Sequence, residues 1–175
     1  GFLLDIRAPH VVIEGLRFHL APDIAVQVNA ADVTVRDCYF DGCIRGIESL
    51  GSANLTVEYC EYSGYPTYQW VRWGQLHGAN GKMGLWNTIY ASNLCNTFLH
   101  HYGPSVKVRH CMVYETFDGM WPRNMGTLDP EKTSEYACNL FMSAGDECIE
   151  FDTREPINLR VHHNFIMDAT VPLAL

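Results

Sequence analysis

The chain has 175 residues, of which 47% are hydrophobic and 18% charged, and a formal net charge of −8. This composition is typical of a folded protein and fits one domain over residues 1–175. The acidic balance argues against a nucleic-acid partner, which needs a basic surface. No apolar run approaches the roughly 18 residues of a membrane-spanning helix, so we expect no membrane insertion.

One strand motif recurs along the chain. Its copies lie at residues 10–18, 32–40, 54–62, 105–113, 135–141 and 158–166, and the first two steps are 22 residues each. Apolar residues alternate within each copy, as in a strand with one buried face. A second short strand precedes most copies, at residues 24–28, 44–47 and 148–151. The sequence therefore predicts an all-β solenoid of stacked coils, a parallel β-helix.

Aligning the copies places like residues at equivalent positions, which parallel stacking brings about 4.8 Å apart. The first predicted ladder is Leu16, Cys38, Cys60, Cys111, Asn139 and Asn164. The second is Phe18, Phe40, Tyr62, Val113, Phe141 and Ile166. The cysteines of the first ladder are expected to be buried thiols at a bend, rather than disulfides or metal ligands. The asparagines are expected to bond neighbouring backbone.

These ladders resemble the inner stacks of the pectin lyase-like right-handed β-helix superfamily. The resemblance covers nearly the whole chain except about residues 65–95. The superfamily includes polysaccharide lyases, glycoside hydrolases, uronan epimerases and phage tailspikes, so the fold does not decide the activity. The resemblance implies an extracytoplasmic protein that acts on, or grips, a polysaccharide.

The repeat is interrupted by an insertion at about residues 65–95 and a shorter one at about 122–134. The first carries three of the four tryptophans. Exposed aromatic rings stack on sugars, although the same rings could simply pack the loop onto the solenoid. The residues expected to bind substrate are Tyr68, Trp70, Trp73, Trp86 and Trp121.

Neither end of the chain has the polar character of a solenoid cap. We therefore expect flanking coils of a longer chain or a capping partner.

The densest acidic stretch lies at residues 145–155. If Ile149 and Phe151 face the core, Glu150 and Asp152 face outward about 7 Å apart. Aligning Met120 with Ile149 then gathers charged and aromatic residues of two coils on one outer face. These residues are Asp118, Trp121, Arg123, Glu147, Glu150 and Asp152.

Two chemistries use such a face. Paired carboxylates can hydrolyse a glycosidic bond. Alternatively, Glu150 and Asp152 can hold Ca²⁺, which binds a uronate carboxyl group and acidifies the adjacent C–H for a base. The candidate bases are Arg123, His100 and His101. Because Arg and His accompany the acids, the pattern favours a polyuronate lyase or epimerase over a hydrolase.

A noncatalytic binding or structural module of a larger surface protein is the competing class, in which outward acids only solvate a strand. Adjacent histidines in a strand face opposite sides. We therefore expect neither His100 and His101 nor His162 and His163 to bind one ion together.

Overall fold

The structure is a computed structural model, and it describes residues 1–64, 95–123, 130–151 and 158–174. The described residues form an all-β parallel solenoid built from three parallel sheets. Their helical content is a three-residue 3-10 turn, Pro130–Lys132. No helix in these ranges has the length and hydropathy needed to cross a membrane.

Each sheet takes one strand from every coil. The first sheet consists of β1 (Phe2–Ile6), β4 (Ile24–Val28), β7 (Arg45–Ser49), β10 (Thr97–Tyr102), β13 (Asp118–Arg123), β16 (Glu147–Glu150) and β19 (Val171–Ala174). The second consists of β2 (Val12–Glu14), β5 (Thr34–Arg36), β8 (Thr56–Glu58), β11 (Lys107–Arg109), β14 (Ser134–Ala137) and β17 (Leu159–His162). The third consists of β3 (Arg17–His19), β6 (Tyr39–Asp41), β9 (Glu61–Ser63), β12 (Met112–Thr116), β15 (Leu140–Ala144) and β18 (Phe165–Met167).

The predicted aromatic and aliphatic ladder is confirmed. Strand pairing in the third sheet aligns all six of its residues, from Phe18 to Ile166. The rings of Phe18 and Phe40 stack with centroids 5.0 Å apart. Phe40 and Tyr62 both contact Phe98 from the first sheet. This aromatic cluster forms part of the core enclosed by the three sheets.

The ladder of thiols and amides is also confirmed. All seven cysteines are free, and Cys38, Cys60 and Cys111 are buried. Cys60 lies within hydrogen-bonding distance of a carbonyl of the preceding coil, and interaction with the Cys111 thiol, together with burial, raises the pKa of Cys60 to about 12. Asn139 accepts a hydrogen bond from the Cys111 N–H and donates one to Val108. Thiols and amides at this bend therefore satisfy backbone groups between coils.

A left-handed residue stands at nearly every corner between sheets. The φ of these residues lies between 51° and 68°. One corner has His10, Asp32, Asn54 and Ser105, and the next has Gly15, Asp37, Tyr59, His110, Cys138 and His163. The third corner has Leu20, Gly42, Glu115, Ser143 and Asp168. Such a residue turns the chain sharply between two short strands. Equivalent corner side chains stack, as Tyr59 does on His110 with ring centroids 5.0 Å apart.

The first sheet turns two consecutive residues toward the core in several coils. Ala25 and Val26, Phe98 and Leu99, and Cys148 and Ile149 are all completely buried. At the position of Phe98, the neighbouring coils carry Gly46 and Gly119. A Cβ on Gly119 would overlap the backbone oxygen of Cys148, so this glycine is required by the close approach of strands.

Parts of the predicted organisation lie outside the described residues. The first insertion falls there except for its last residue, and residues 124–129 of the second do as well. Apolar side chains are exposed on the two end coils, including Leu3 and Val12 on one and Phe165 and Leu173 on the other.

Replacing Gly119 with alanine is expected to lower the free energy of unfolding by about 3 kcal/mol, because backbone oxygen cannot move aside as a side chain can. Gly15→Ala is the comparison: Gly15 is left-handed but has open space around its Cα, so only about 1 kcal/mol of backbone strain is expected. Urea unfolding of both variants measures the difference. Equal losses would show that the two strands are not packed this closely.

Candidate functional site

The strand register that assembles the candidate site is confirmed: Met120 pairs with Ile149. Around this pair, one carboxylate oxygen from each of Asp118, Glu147 and Glu150 lies within 4.8 Å of the other two. We call these three residues the acidic cluster. They occupy the outer face of the first sheet, where two successive coils meet.

The inward pair Cys148 and Ile149 explains why both glutamates join the cluster. Both residues of the pair are completely buried. Glu147 and Glu150, on either side of them, are partly exposed. Strict alternation would put these glutamates on opposite faces. Alignment with Asp118 nevertheless brought Glu147 to this face in the sequence, without a catalytic or metal role. The recurring pairs of consecutive apolar residues, as at Phe98 and Leu99, are the signal that explains how both glutamates reach one face.

The cluster favours a proton on Asp118. Asp118 is only 7% exposed. Burial, followed by the neighbouring carboxylates of Glu150, Asp146 and Glu147, raises the pKa of Asp118 well above its usual range. Glu150 differs because the Arg123 guanidinium lies 3.7 Å from its Oε1. The cluster thus pairs a carboxyl group that retains its proton with one that has a cation beside it.

An aromatic and basic strip continues from the cluster across the outer face. The Arg123 guanidinium lies over the Trp121 ring, 4.0 Å from its centroid. The His100 ring stacks on Trp121 with centroids 4.4 Å apart. His100 Nδ1 lies 3.1 Å from Glu48 Oε1, and this hydrogen bond is the main reason that the pKa of Glu48 is lowered. Arg45 donates a second hydrogen bond to Glu48.

The structure does not place His101 with the other candidate bases. Its side chain is completely buried in the core and shares a hydrogen bond with the Tyr136 hydroxyl. Burial lowers the pKa of His101 to about 3. We therefore leave His101 out of the site, because the next residue along a strand faces the opposite side from His100.

Five other predicted site residues lie outside the described residues, and the structure gives no account of them. They are Tyr68, Trp70, Trp73, Trp86 and Asp152. The predicted Glu150 and Asp152 pair is therefore not described. The carboxylate that joins Glu150 in the structure comes from the neighbouring coil.

The expectation that His162 and His163 face apart is wrong. Their Nδ1 atoms lie 2.7 Å apart. Strand β17 ends at His162, and His163 occupies the left-handed corner with φ of 55°. Strand alternation does not extend through that corner, which turns the second ring back toward the first.

The acidic cluster could offer three oxygen ligands to a cation. This donor set suits a hard ion such as Ca²⁺, which takes six to eight oxygens and would need further carbonyl or water ligands.

Comparison with protein-family models, with curated proteins and with solved structures found no match. The fold is shown by the strand pairing, and the resemblance to the pectin lyase-like superfamily remains a prediction.

Asp118→Asn is expected to stabilise the protein increasingly as pH rises. A folded-state pKa above the unfolded value means that Asp118 contributes full stability at low pH and loses it as pH rises through the folded pKa. The amide has no proton to lose, and each unit of raised pKa corresponds to about 1.4 kcal/mol. Thermal unfolding between pH 4 and pH 8 measures the difference from wild type.

Asp41→Asn provides the control of opposite sign. Hydrogen bonding with Arg17 is the main cause of the lowered pKa of Asp41. That variant should lose stability at neutral pH, by less than about 1 kcal/mol because the pair is partly solvated. An Asp118→Asn variant that is less stable than wild type at pH 8 would contradict the electrostatic account.

Proposed function

We propose that the protein is a carbohydrate-active enzyme that hydrolyses an extracellular polysaccharide on the outer face of its first sheet. The proposal rests on one distance: a carboxylate oxygen of Asp118 lies within 4.8 Å of a carboxylate oxygen of Glu150. Glycoside hydrolases use two carboxyl groups, one as acid and one as nucleophile or base. Here burial and neighbouring carboxylates raise the pKa of Asp118, whereas Glu150 has the Arg123 guanidinium 3.7 Å from its Oε1.

The separation favours a retaining reaction. Retaining enzymes have carboxyl groups about 5–5.5 Å apart, whereas inverting enzymes leave about 6.5–9.5 Å for an attacking water. Asp118 would protonate the glycosidic oxygen as the bond to the anomeric carbon breaks. Glu150 would attack that carbon and form a glycosyl ester. Water would then hydrolyse the ester, returning its proton to Asp118 and freeing the Glu150 carboxylate.

The other members of the site have supporting roles in this proposal. Arg123 lies 3.7 Å from Glu150 Oε1 and would stabilise the negative charge of that carboxylate. Glu147 disfavours loss of the Asp118 proton, because a second negative charge would lie beside its own. Trp121 contacts both His100 and Arg123, is partly exposed, and would contact a sugar ring.

A polyuronate lyase or epimerase is the second candidate. The observation that favours it is the hydrogen bond between His100 Nδ1 and Glu48, because a carboxylate holds an imidazole in the orientation needed for a general base. In this reaction His100 would remove the proton next to the uronate carboxyl group. Among the described residues, Arg123 is a cation that lies beside the acidic cluster, 3.7 Å from Glu150 Oε1.

A polysaccharide panel separates these functions when reducing ends and ultraviolet absorbance are read together, with Ca²⁺ and with chelator. The proposal predicts new reducing ends without absorbance. Asp118→Asn and Glu150→Gln should each lower the rate about 10²–10⁴-fold, the usual contribution of a positioned acid or base. Glu61→Gln is the matched control: Glu61 bonds Tyr114 on the third sheet and should leave the rate unchanged.

If ultraviolet absorbance rises together with the reducing ends, the reaction is an elimination and not a hydrolysis. If that activity is lost with chelator, a metal takes part in the reaction. Silence across the panel from folded protein would favour the noncatalytic module.

A further inference from the structure

Two ring nitrogens on the outer face are buried and have no hydrogen-bond partner among the residues that the structure describes. They are His100 Nε2 and Trp121 Nε1, which belong to neighbouring coils and to rings stacked 4.4 Å apart. His100 itself is only 7% exposed. A buried polar atom without a partner costs about 1–3 kcal/mol, and native structures rarely tolerate it without a ligand, water or functional reason.

The chemistry of the two nitrogens specifies the missing group. The Trp121 indole can only donate a hydrogen bond. His100 Nδ1 faces a carboxylate, which only accepts, so Nδ1 carries a proton. Nε2 then accepts when the ring is neutral and donates when the ring is protonated. A hydroxyl group both donates and accepts, so hydroxyls match the pair in either state of His100.

We infer that His100 and Trp121 form a subsite for hydroxyl groups of a neutral sugar. The inference rests on the proposed function and names the substrate class: a neutral, hydroxyl-rich polysaccharide. One sugar hydroxyl donates to His100 Nε2 and a hydroxyl of the same residue accepts from Trp121 Nε1. Trp121 as a whole is partly exposed.

The subsite offers little to a uronate. The two arginines described beside it already face carboxylates, Arg45 that of Glu48 and Arg123 that of Glu150. A uronate carboxylate can only accept hydrogen bonds and would find no donor on a neutral His100. It would also compete with these glutamates for the arginines. A neutral diol meets neither penalty.

Trp121→Phe tests the inference because it removes the N–H and keeps the ring. Binding is measured by calorimetry in the Asp118→Asn background, which prevents turnover, with cello-, xylo- and mannohexaose and with trigalacturonate. At least one neutral hexaose should bind more tightly than trigalacturonate. Trp121→Phe should weaken that binding about tenfold, equivalent to about 1.4 kcal/mol, while thermal stability is unchanged or higher.

Tyr102→Phe is the matched control, because Tyr102 also contacts the His100 ring but lacks an unpaired buried atom. Its affinity should equal that of the Asp118→Asn parent. The indole N–H resonance of Trp121 should also shift downfield when the sugar is added, which a purely structural role would not produce.

Equal affinity with and without the Trp121 N–H, an unshifted resonance, or binding of trigalacturonate alone would overturn the subsite. These results are independent of hydrolysis. If wild type binds a neutral sugar but does not turn it over, the hydrolase proposal fails and the subsite stands. If wild type turns a sugar over but Trp121→Phe does not weaken binding, the subsite fails and the hydrolase proposal stands.

Discussion

Parallel pairing in register is the constraint on which the rest of the structure depends. Each strand is hydrogen-bonded to its equivalent in the neighbouring coil, so a side chain lies beside the residue at the same position of the repeat. In the core this produces stacks such as Phe18 on Phe40. On the outer face it produces stacked charges, and a shift of one residue between β13 and β16 would take Asp118 away from both glutamates.

Several acids of the described outer face lie against a base of the next coil. Arg36 meets Glu14 in this way, with an N–O distance of 3.0 Å. Glu135 is similarly held by Arg109 and His162, which lower the pKa of Glu135 to about 2. In the cluster, the buried Asp118 lies within 4.8 Å of two further carboxylates, those of Glu147 and Glu150. Proteins retain such local conflicts chiefly where function requires them, which is why the cluster, rather than acidity in general, carries the proposal.

The core of the fold could be predicted because the same residue types recur at one position of the repeat, and stacking of the coils explains that recurrence. Thiols and amides recur with the ladder from Cys38 to Asn164, and Met120 could be aligned with Ile149 from apolar spacing alone. The corners were harder to anticipate. Tyr59 and Cys138 adopt left-handed φ although neither type favours it, so tertiary stacking decides their conformation.

The site was predictable only in part, for a geometric reason. Alternation correctly separated Glu150 from Ile149, but alternation alone does not give the two adjacent inward residues that let Glu147 and Glu150 share one face. It also could not distinguish His100 from His101 as candidate bases without knowing which face each occupies. Charge-to-charge distances between coils depend on the strand register as well as on side-chain direction, and sequence spacing does not give them.

A carboxyl-carbon NMR titration of the protein with ¹³C-labelled Asp and Glu tests the central claim most directly. If Asp118, Glu147 and Glu150 share one confined space, Asp118 will remain protonated well above the ordinary aspartate pKa of about 3.9. Its resonance will also respond when Glu147 or Glu150 is replaced by glutamine. Titration of Asp118 near its ordinary value, with no response to either replacement, would show that the carboxyl groups are apart and that the proposed catalytic pair does not exist.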